Sequence, residues 1–372
     1  MVKVRSRGAK EPRSRKLVVV FDRSASAQVK SGKNVRRVPL FTNGRMSDTM
    51  RSSLSFRFHP VRRNKKIQTV MRMGKAETKE HVKMECVVSM CEPLSEIGCI
   101  YENNVIEVLR RPKLFTYKRN KQIEGMKVWS VMAPESDTPI MESDFNEGQL
   151  EQLQEDLECD IGVIKAAVQQ LLRHNTHDVM AINTYPGHHA GPSRVAGFCS
   201  INNVAVAASL LKRKRPQLKL GVLDIDVHPG DGTQQFLERH KGLFNKYVSI
   251  HSGGQFYNCY SLGANGAALK LDRNRKVSAE RLLQKIVETL DSWNRSCLDI
   301  VIVALGFDTL QQDGLAKLGF QMLPAHFHTV GLVLAGRKEQ IMFVQEGGYN
   351  LDETTRAFDY LIKGLREGRK LK

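Results

Sequence analysis

From residue 145 onwards, short apolar runs alternate with longer segments in which apolar residues recur at spacings of three and four. The apolar runs predict strands at residues 179–184, 220–223, 247–251, 299–305 and 341–345, after earlier strands at 17–21 and 126–131. The helical patterns cover residues 145–173, 202–214, 233–240, 278–290, 323–337 and 354–366. This alternation is typical of a mostly parallel sheet with helices on both faces. The sequence therefore predicts an α/β fold.

Polar side chains suited to metal binding or proton transfer follow four of these predicted strands. In chain order they are His188 and His189, then Asp224, Asp226 and His228, then Asp308, and finally Tyr349. In parallel sheets, ligands bind beyond the carboxyl ends of the strands. Taken singly, each residue has an ordinary structural explanation, such as a helix cap or a buried histidine. Together they predict a site at one edge of the sheet.

The spacing of Asp224, Asp226 and His228 indicates a metal. If the backbone stays extended after residue 223, all three side chains leave it on one face. A carboxylate and an imidazole two residues apart can then bind one zinc ion, at distances of about 2.0–2.2 Å.

Charge is concentrated at the start of the chain. Residues 1–80 contain 22 Lys or Arg and 5 Asp or Glu, so they carry +17 of the total net charge of +18. This balance suits contact with nucleic acid or with acidic protein surfaces, and Arg62-Arg63-Asn64-Lys65-Lys66 is similar to a nuclear-import cluster. The alternative is a solvated extension without a partner. Residues 23–66 show little periodicity and are predicted to be loop or disordered.

Other features exclude some classes of protein. There is no run of about 18 apolar residues and no signal-peptide pattern, so we expect neither a membrane span nor secretion. Seven scattered cysteines favour free thiols in a reducing compartment over a disulfide framework.

The motifs at the strand ends resemble the zinc-dependent histone deacetylases and their acetylpolyamine-deacetylase and arginase-like relatives. They are Pro-Gly-His-His-Ala at 186–190, Gly-Phe-Cys at 197–199, Asp-Ile-Asp-Val-His at 224–228, Val-Ser-Ile-His at 248–251, Gly-Phe-Asp at 306–308 and Glu-Gly-Gly-Tyr-Asn-Leu at 346–351. The Glu-Gly-Gly-Tyr form is closest to class II and bacterial members. The resemblance implies the arginase/deacetylase fold, three layers in the order α/β/α with about eight strands in the central sheet.

The resemblance also implies roles for individual residues. Asp226, His228 and Asp308 would be the zinc ligands and leave a position open for water and substrate. His189 would be the general base, oriented by Asp231, and His188 its partner in proton transfer, oriented by Asp224. Tyr349 would donate a hydrogen bond to the developing oxyanion.

Further residues would contact the substrate or a second ion. The implied substrate contacts are Phe198, Tyr257, Leu315, Gly197, Gly347 and, at the rim, Asp137. A structural potassium ion would use Asp224, Asp226, His228, Ser249 and Ile250.

We therefore expect residues 67–372 to form a deacetylase catalytic domain behind a basic, partly disordered extension at 1–66 that includes the strand at 17–21. The expected reaction is removal of acetyl groups from lysine side chains of proteins, histone tails foremost, in the nucleus. Alternatives are an acetylpolyamine or other small-amide deacetylase, a non-enzymatic scaffold or nucleic-acid-binding module on the same fold, and a cytoplasmic or organellar location. An arginase is disfavoured because it needs a second manganese site. The sequence leaves open the acyl-chain length and the oligomeric state.

Overall fold

The structure is a computed structural model that describes residues 16–22, 84–89, 91–101, 117–123, 126–132, 139–143, 147–173, 177–193, 195–197, 199–253, 262–270, 276–313 and 319–370. Its strands are β1 Lys16–Asp22, β2 Met84–Ser89, β3 Tyr117–Ile123, β4 Met126–Met132, β5 Pro139–Ser143, β6 His177–Ala181, β7 Leu220–Asp224, β8 Lys246–Ser252, β9 Gly266–Leu269, β10 Ile300–Leu305 and β11 Gln340–Gln345. Its helices are α1 Glu147–Arg173, α2 Asn203–Lys214, α3 Asp231–Arg239, α4 Ala279–Ser292, α5 His326–Ala335 and α6 Leu351–Lys370.

Eight of the described strands form one sheet in the order β2-β1-β6-β11-β10-β7-β8-β9. Every neighbouring pair in it is parallel. The central strands β7 and β10 are buried along their whole length, as expected for a parallel sheet covered on both faces. The predicted α/β fold with a mostly parallel sheet is confirmed.

The core lies in two layers, one on each face of this sheet. Successive residues of β1 alternate between them, because side chains along a strand point to opposite faces. Val18 and Val20 join a cluster that includes buried residues of α1, α2 and α3. Leu17 and Val19 join the opposite cluster, which includes residues of α4, α5 and α6. The layers therefore follow the predicted order α/β/α.

Some elements differ from the predictions. The predicted strand at 126–131 exists, but it lies in a separate antiparallel sheet in the order β3-β4-β5. Residues 117–123 form β3, a strand that the apolar pattern did not predict. The predicted first strand is β1, which lies inside the main sheet between β2 and β6. The rest of the predicted extension, residues 1–15 and 23–66, lies outside the described residues, so the domain boundary at 66/67 stays a prediction.

Cysteine pairing also differs from the expectation. Cys91 and Cys159 form a disulfide that connects the segment after β2 to α1, so the prediction of free thiols is wrong for this pair. Among the described cysteines, Cys99, Cys199 and Cys297 do not form a disulfide. None of the described helices is both long and apolar enough to span a bilayer.

A buried ion pair fastens the end of α6 to the sheet. The Arg369 guanidinium donates to the Asp178 carboxylate at 2.6 and 3.2 Å and to the carbonyls of Ala335 and Arg337 at 2.7 and 3.0 Å. The other carboxylate oxygen of Asp178 accepts the N–H of Ile341 at 3.0 Å. The side chains of Arg369 and Asp178 are 8% and 6% exposed, so both charges are largely desolvated.

Replacing Arg369 by alanine is expected to lower the free energy of unfolding by about 3–5 kcal/mol, because the Asp178 carboxylate stays buried without its partner. Urea unfolding measures this change. Lys363→Ala is the matched control on α6, since the Lys363 side chain is 60% exposed and its contact with Glu367 is 4.0 Å long. The control should change stability by less than about 0.5 kcal/mol. Equal changes in the two variants would contradict a stabilising role for the buried pair.

Candidate metal and catalytic site

The predicted polar residues meet at the carboxyl ends of β6, β11, β10 and β7, four adjacent strands of the sheet. The loops that follow these strands bring together the two histidines, the aspartates and the Gly-Gly-Tyr turn, because parallel strands all end at the same edge. His228 and His189 have the most exposed side chains among the predicted metal ligands and histidines, at 27% and 12%. Solvent therefore reaches the group from the side on which these two rings lie.

Asp226, His228 and Asp308 form the metal-binding candidate. Nδ1 of His228 lies 3.0 Å from Oδ1 of Asp226 and 3.3 Å from Oδ2 of Asp308. One ligand atom from each of the three residues lies within 4.8 Å of the other two. The backbone reaches this arrangement by bending at residues 226–228 and not by staying extended. Oδ1 of Asp224 accepts the N–H of Asp226 at 3.1 Å, and Oδ1 of Asp226 accepts that of His228 at 3.0 Å.

These residues fit a divalent cation. Oδ2 of Asp308 is buried and accepts no hydrogen bond from the described residues, although Nδ1 of His228 lies 3.3 Å away. Burial raises the pKa of Asp308, and the neighbouring Asp226 carboxylate raises it further. A bound cation would stabilise both carboxylates in their charged form. Two glycines leave space beside the carboxylate oxygens of Asp226 and Asp308. A Cβ on Gly306 or Gly347 would lie 2.2–2.7 Å from these oxygens. Two carboxylates and one imidazole are a ligand set that zinc accepts.

The two adjacent histidines are each held by a separate carboxylate. Nδ1 of His188 lies 3.0 Å from Oδ2 of Asp224, and Nδ1 of His189 lies 2.6 Å from Oδ1 of Asp231. Nε2 of His188 is 3.6 Å from Oδ1 of Asp226, and the two imidazole centroids are 4.2 Å apart. The predicted pairs are therefore in contact, beside the metal-binding candidate.

The pKa values of the two histidines shift in opposite directions. Burial alone lowers the pKa of His188, but the charges of Asp226 and Asp224 raise it well above its ordinary value. Burial and the neighbouring His188 lower the pKa of His189, against the opposing effect of Asp231. Two titratable groups whose environments separate their pKa values suit different roles in acid–base chemistry.

Gly197 lies against the ring of His189. Its φ is 55°, in the left-handed region, and a Cβ at this position would lie 2.3 Å from Cδ2 of His189. Only glycine allows the chain to pass so close to the imidazole. The structure thus places Gly197 beside the predicted general base.

The Gly-Gly-Tyr turn is attached to the metal-binding candidate. The N–H of Gly347 donates to Oδ2 of Asp226 at 2.8 Å, and Gly348 adopts a φ of 129°. Oδ2 of Asp313 accepts the N–H groups of Tyr349 at 2.6 Å and Asn350 at 3.1 Å. Tyr349 is 5% exposed, so its ring is fixed by packing as well as by the hydrogen bonds of its backbone.

Sequence reasoning missed two buried carboxylates that hold the loop before the histidines. Asp160 accepts the N–H groups of Thr184 at 2.6 Å and Tyr185 at 3.0 Å. Glu346 accepts those of Gly187 at 2.5 Å and His188 at 3.2 Å. Both had a signal in the sequence: Asp160 interrupts the apolar stripe of α1, and Glu346 comes two residues after the apolar run at 341–344. A charge in such a position is seldom buried without partners.

The residues of the predicted potassium site lie at and just after the end of β7 and in the middle of the adjacent strand β8. Asp224 and Ser249 are paired across β7 and β8, and the Ser249 hydroxyl accepts the N–H of Gly230 at 3.1 Å. Potassium binding stays a prediction. Four predicted substrate contacts, Phe198, Tyr257, Leu315 and Asp137, lie outside the described residues.

Comparison with known proteins supports the family named by the motifs. The family model described as "Histone deacetylase domain" matches residues 61–365. The chain is 30% identical over 195 residues to histone deacetylase 4 of Caenorhabditis briggsae. This alignment covers 48% of this chain and 22% of that protein. It is 31% identical over 189 residues to the acetylpolyamine amidohydrolase of Mycoplana ramosa. That alignment covers 48% of this chain and 54% of the relative. The alignments thus span about a fifth and about half of these relatives.

Two solved structures have the same fold. The HD domain of HDA15 superposes with a TM-score of 0.65 at 18% identity, covering 95% of this chain and 90% of the other. The acetylpolyamine aminohydrolase of Burkholderia pseudomallei superposes with a TM-score of 0.66 at 18% identity, covering 95% and 99%. With the family model matching most of its length, the chain belongs to the histone deacetylase domain family.

Proposed function

We propose that this protein is a zinc-dependent hydrolase that removes the acetyl group from N6-acetyl-lysine in proteins, with histone tails as the foremost substrates. The observation that carries the proposal is the pair of carboxylate-held histidines directly beside the Asp226–His228–Asp308 cluster. Hydrolysis of an amide needs an activated water, a polarised carbonyl and a proton for the leaving amine. This arrangement offers groups for each of these needs.

Asp226, His228 and Asp308 would hold the zinc ion through one nitrogen and two carboxylates. A bound zinc ion polarises the amide carbonyl and lowers the pKa of a bound water. Three protein ligands leave coordination positions for the water and the carbonyl. A potassium ion bound by Asp224, Asp226, His228, Ser249 and Ile250 would add structural support at the end of β7 and in the middle of β8.

His189 would act as the general base. Its Nδ1 is bonded to Asp231, which fixes the tautomer and leaves Nε2 free to accept a proton from the attacking water. Its lowered pKa keeps the ring neutral and able to accept that proton. His188, with its raised pKa, would carry a positive charge beside the reacting groups. One of the two histidines would then return a proton to the leaving amine.

The phenolic hydroxyl of Tyr349 would donate a hydrogen bond to the amide oxygen of the substrate, which gains negative charge as water attacks. Asp313 and the contact of Gly347 with Asp226 hold the turn that carries this ring. A donor held in place before the reaction stabilises the transition state without reorganising. Phe198, Tyr257 and Leu315 would line the passage for the lysine methylenes with Gly197 and Gly347, and Asp137 would hold the substrate backbone at the rim.

The basic stretch at residues 1–80 supports a protein substrate in chromatin over a polyamine. A net charge of +17 in this stretch attracts nucleic acid and acidic protein surfaces, and so favours binding to chromatin; it would repel a free polyamine and a free histone tail alike. On the same ground we propose the nucleus as the location. Relatives named as acetylpolyamine amidohydrolases make the small-molecule substrate the second candidate.

The test is acetate release by the zinc-loaded protein from an acetyl-lysine histone-tail peptide and from an acetylpolyamine at equal concentrations. We expect a higher kcat/KM for the peptide. Preference for the polyamine would keep the proposed catalytic roles and overturn the proposed substrate. A zinc-bound protein that is inactive on both substrates would overturn the proposed acetyl-lysine activity.

A further inference from the structure

Glu346 occupies an unusual position for a carboxylate. It is the first residue after β11 and is 0% exposed. Its Oε2 accepts the N–H groups of Gly187 and His188, which lie in the loop after the neighbouring strand β6. Oε1 is buried and has no hydrogen-bond donor among the described residues. Within that part of the chain, the side-chain hydrogen bonds of Glu346 go to the backbone of the loop that carries the two histidines.

The backbone of His188 is held on both sides. Its N–H donates to Glu346 at 3.2 Å, and its carbonyl accepts the N–H of Thr233 at 3.1 Å. Thr233 lies in α3, the same helix as Asp231, the partner of His189. Glu346 thus connects the histidine loop to β11, while α3 holds the loop from the other side. Bonds from backbone N–H groups to a buried carboxylate are charge-assisted and stronger than neutral ones.

We propose that Glu346 is a positioning residue of the hydrolase: through the N–H groups of Gly187 and His188 it fixes both imidazoles relative to the metal-binding cluster. This inference rests on the proposed function. Glu346 has no hydrogen bond to the ring of His188 or His189, so it holds the position of both rings through the backbone, while its charge also raises the pKa of His188. A displacement of catalytic groups by about 1 Å can lower a rate roughly 100-fold.

The chain offers a matched control on the same strand. Glu339 precedes β11 as Glu346 follows it, and Glu339 is also buried, at 2% exposure. Its carboxylate binds the Arg337 guanidinium at 3.0 and 3.1 Å. Six residues of strand separate the two glutamates, so their Cα atoms lie about 23 Å apart at 3.3 Å per residue. Substitutions at Glu339 therefore remove a buried carboxylate without touching the histidine loop.

The experiment compares Glu346→Ala and Glu346→Gln with Glu339→Ala and Glu339→Gln. Glutamine can place its amide oxygen at the position of Oε2 and its nitrogen at that of Oε1, where no donor would oppose it. For Glu346→Ala we expect kcat to fall roughly 10- to 100-fold at unchanged zinc content, with KM within about threefold. Glu346→Gln should recover most of that loss. The two Glu339 variants should lower the melting temperature and leave kcat near that of the wild type.

A second measurement does not depend on activity. Imidazole N–H protons bonded to Asp224 and Asp231 give low-field NMR signals, which should shift or broaden in Glu346→Ala and stay unchanged in Glu339→Ala. The inference is overturned if these signals and kcat are the same in both alanine variants, if the loss appears only in KM, or if glutamine is as damaging as alanine. An inactive wild-type protein would overturn the proposed function only. The NMR comparison would still test whether Glu346 positions the two imidazoles.

Discussion

Asp226→Ala is expected to abolish both zinc retention and hydrolysis. Oδ1 of Asp226 lies 3.0 Å from Nδ1 of His228, and Oδ2 accepts the N–H of Gly347 at 2.8 Å. The substitution therefore removes one of three proposed ligands and also one of the hydrogen bonds that hold the Gly-Gly-Tyr turn. Loss of a residue that merely supports a metal ligand costs about 10- to 100-fold in affinity or activity, so loss of a ligand should cost at least roughly 10³-fold in turnover.

Elemental analysis of the purified variant, together with acetate release, measures both effects. Asp291→Ala is the control, because Asp291 is exposed at the end of α4 and lies outside the site. It should keep one zinc per chain and wild-type turnover. Stoichiometric zinc in Asp226→Ala would show that Asp226 is not a ligand.

Tyr349→Phe should leave zinc bound and the fold intact while turnover falls about 10²–10³-fold, the usual cost of removing one oxyanion donor. Phenylalanine keeps the buried ring and the backbone bonds to Asp313. The loss should therefore appear in kcat and not in the melting temperature. Tyr360→Phe removes a hydroxyl from a tyrosine of α6 that is 36% exposed, and serves as the control. Equal activity of Tyr349→Phe and the wild type would remove the phenol from the mechanism.

The sequence predicted the six inner strands of the main sheet, β1, β6, β7, β8, β10 and β11, from their apolar runs, but not the two edge strands β2 and β9. Runs such as 300–305 can only be buried, and the alternation with helices makes the sheet parallel. The edge that holds the site followed from this topology. The resemblance supplied the pairing of His188 with Asp224 and of His189 with Asp231, which geometry now places at hydrogen-bonding distance.

Other features could not be predicted from local pattern. The strand β3 reads Tyr-Lys-Arg-Asn-Lys-Gln-Ile, a polar run whose pairing with β4 is tertiary information. The bend at residues 226–228 arises from carboxylates that accept backbone N–H groups two residues further along the chain. The periodicity of apolar residues contains no information about these hydrogen bonds. The bond from Gly187 to Glu346 spans 159 residues. Its two ends become neighbours only after β6 and β11 have paired.

The carboxylates behind the histidine and tyrosine loops have a consequence for protein engineering. The histidine loop depends on Asp160 from α1 and Glu346 from the end of β11, and the tyrosine turn depends on Asp313 from a third segment. A loop transplanted without its acidic partner would present unpaired N–H groups, and the carboxylate left behind would stay buried without the N–H groups that it now accepts. Grafts at this edge should therefore exchange each loop together with its remote acid, as one discontinuous module.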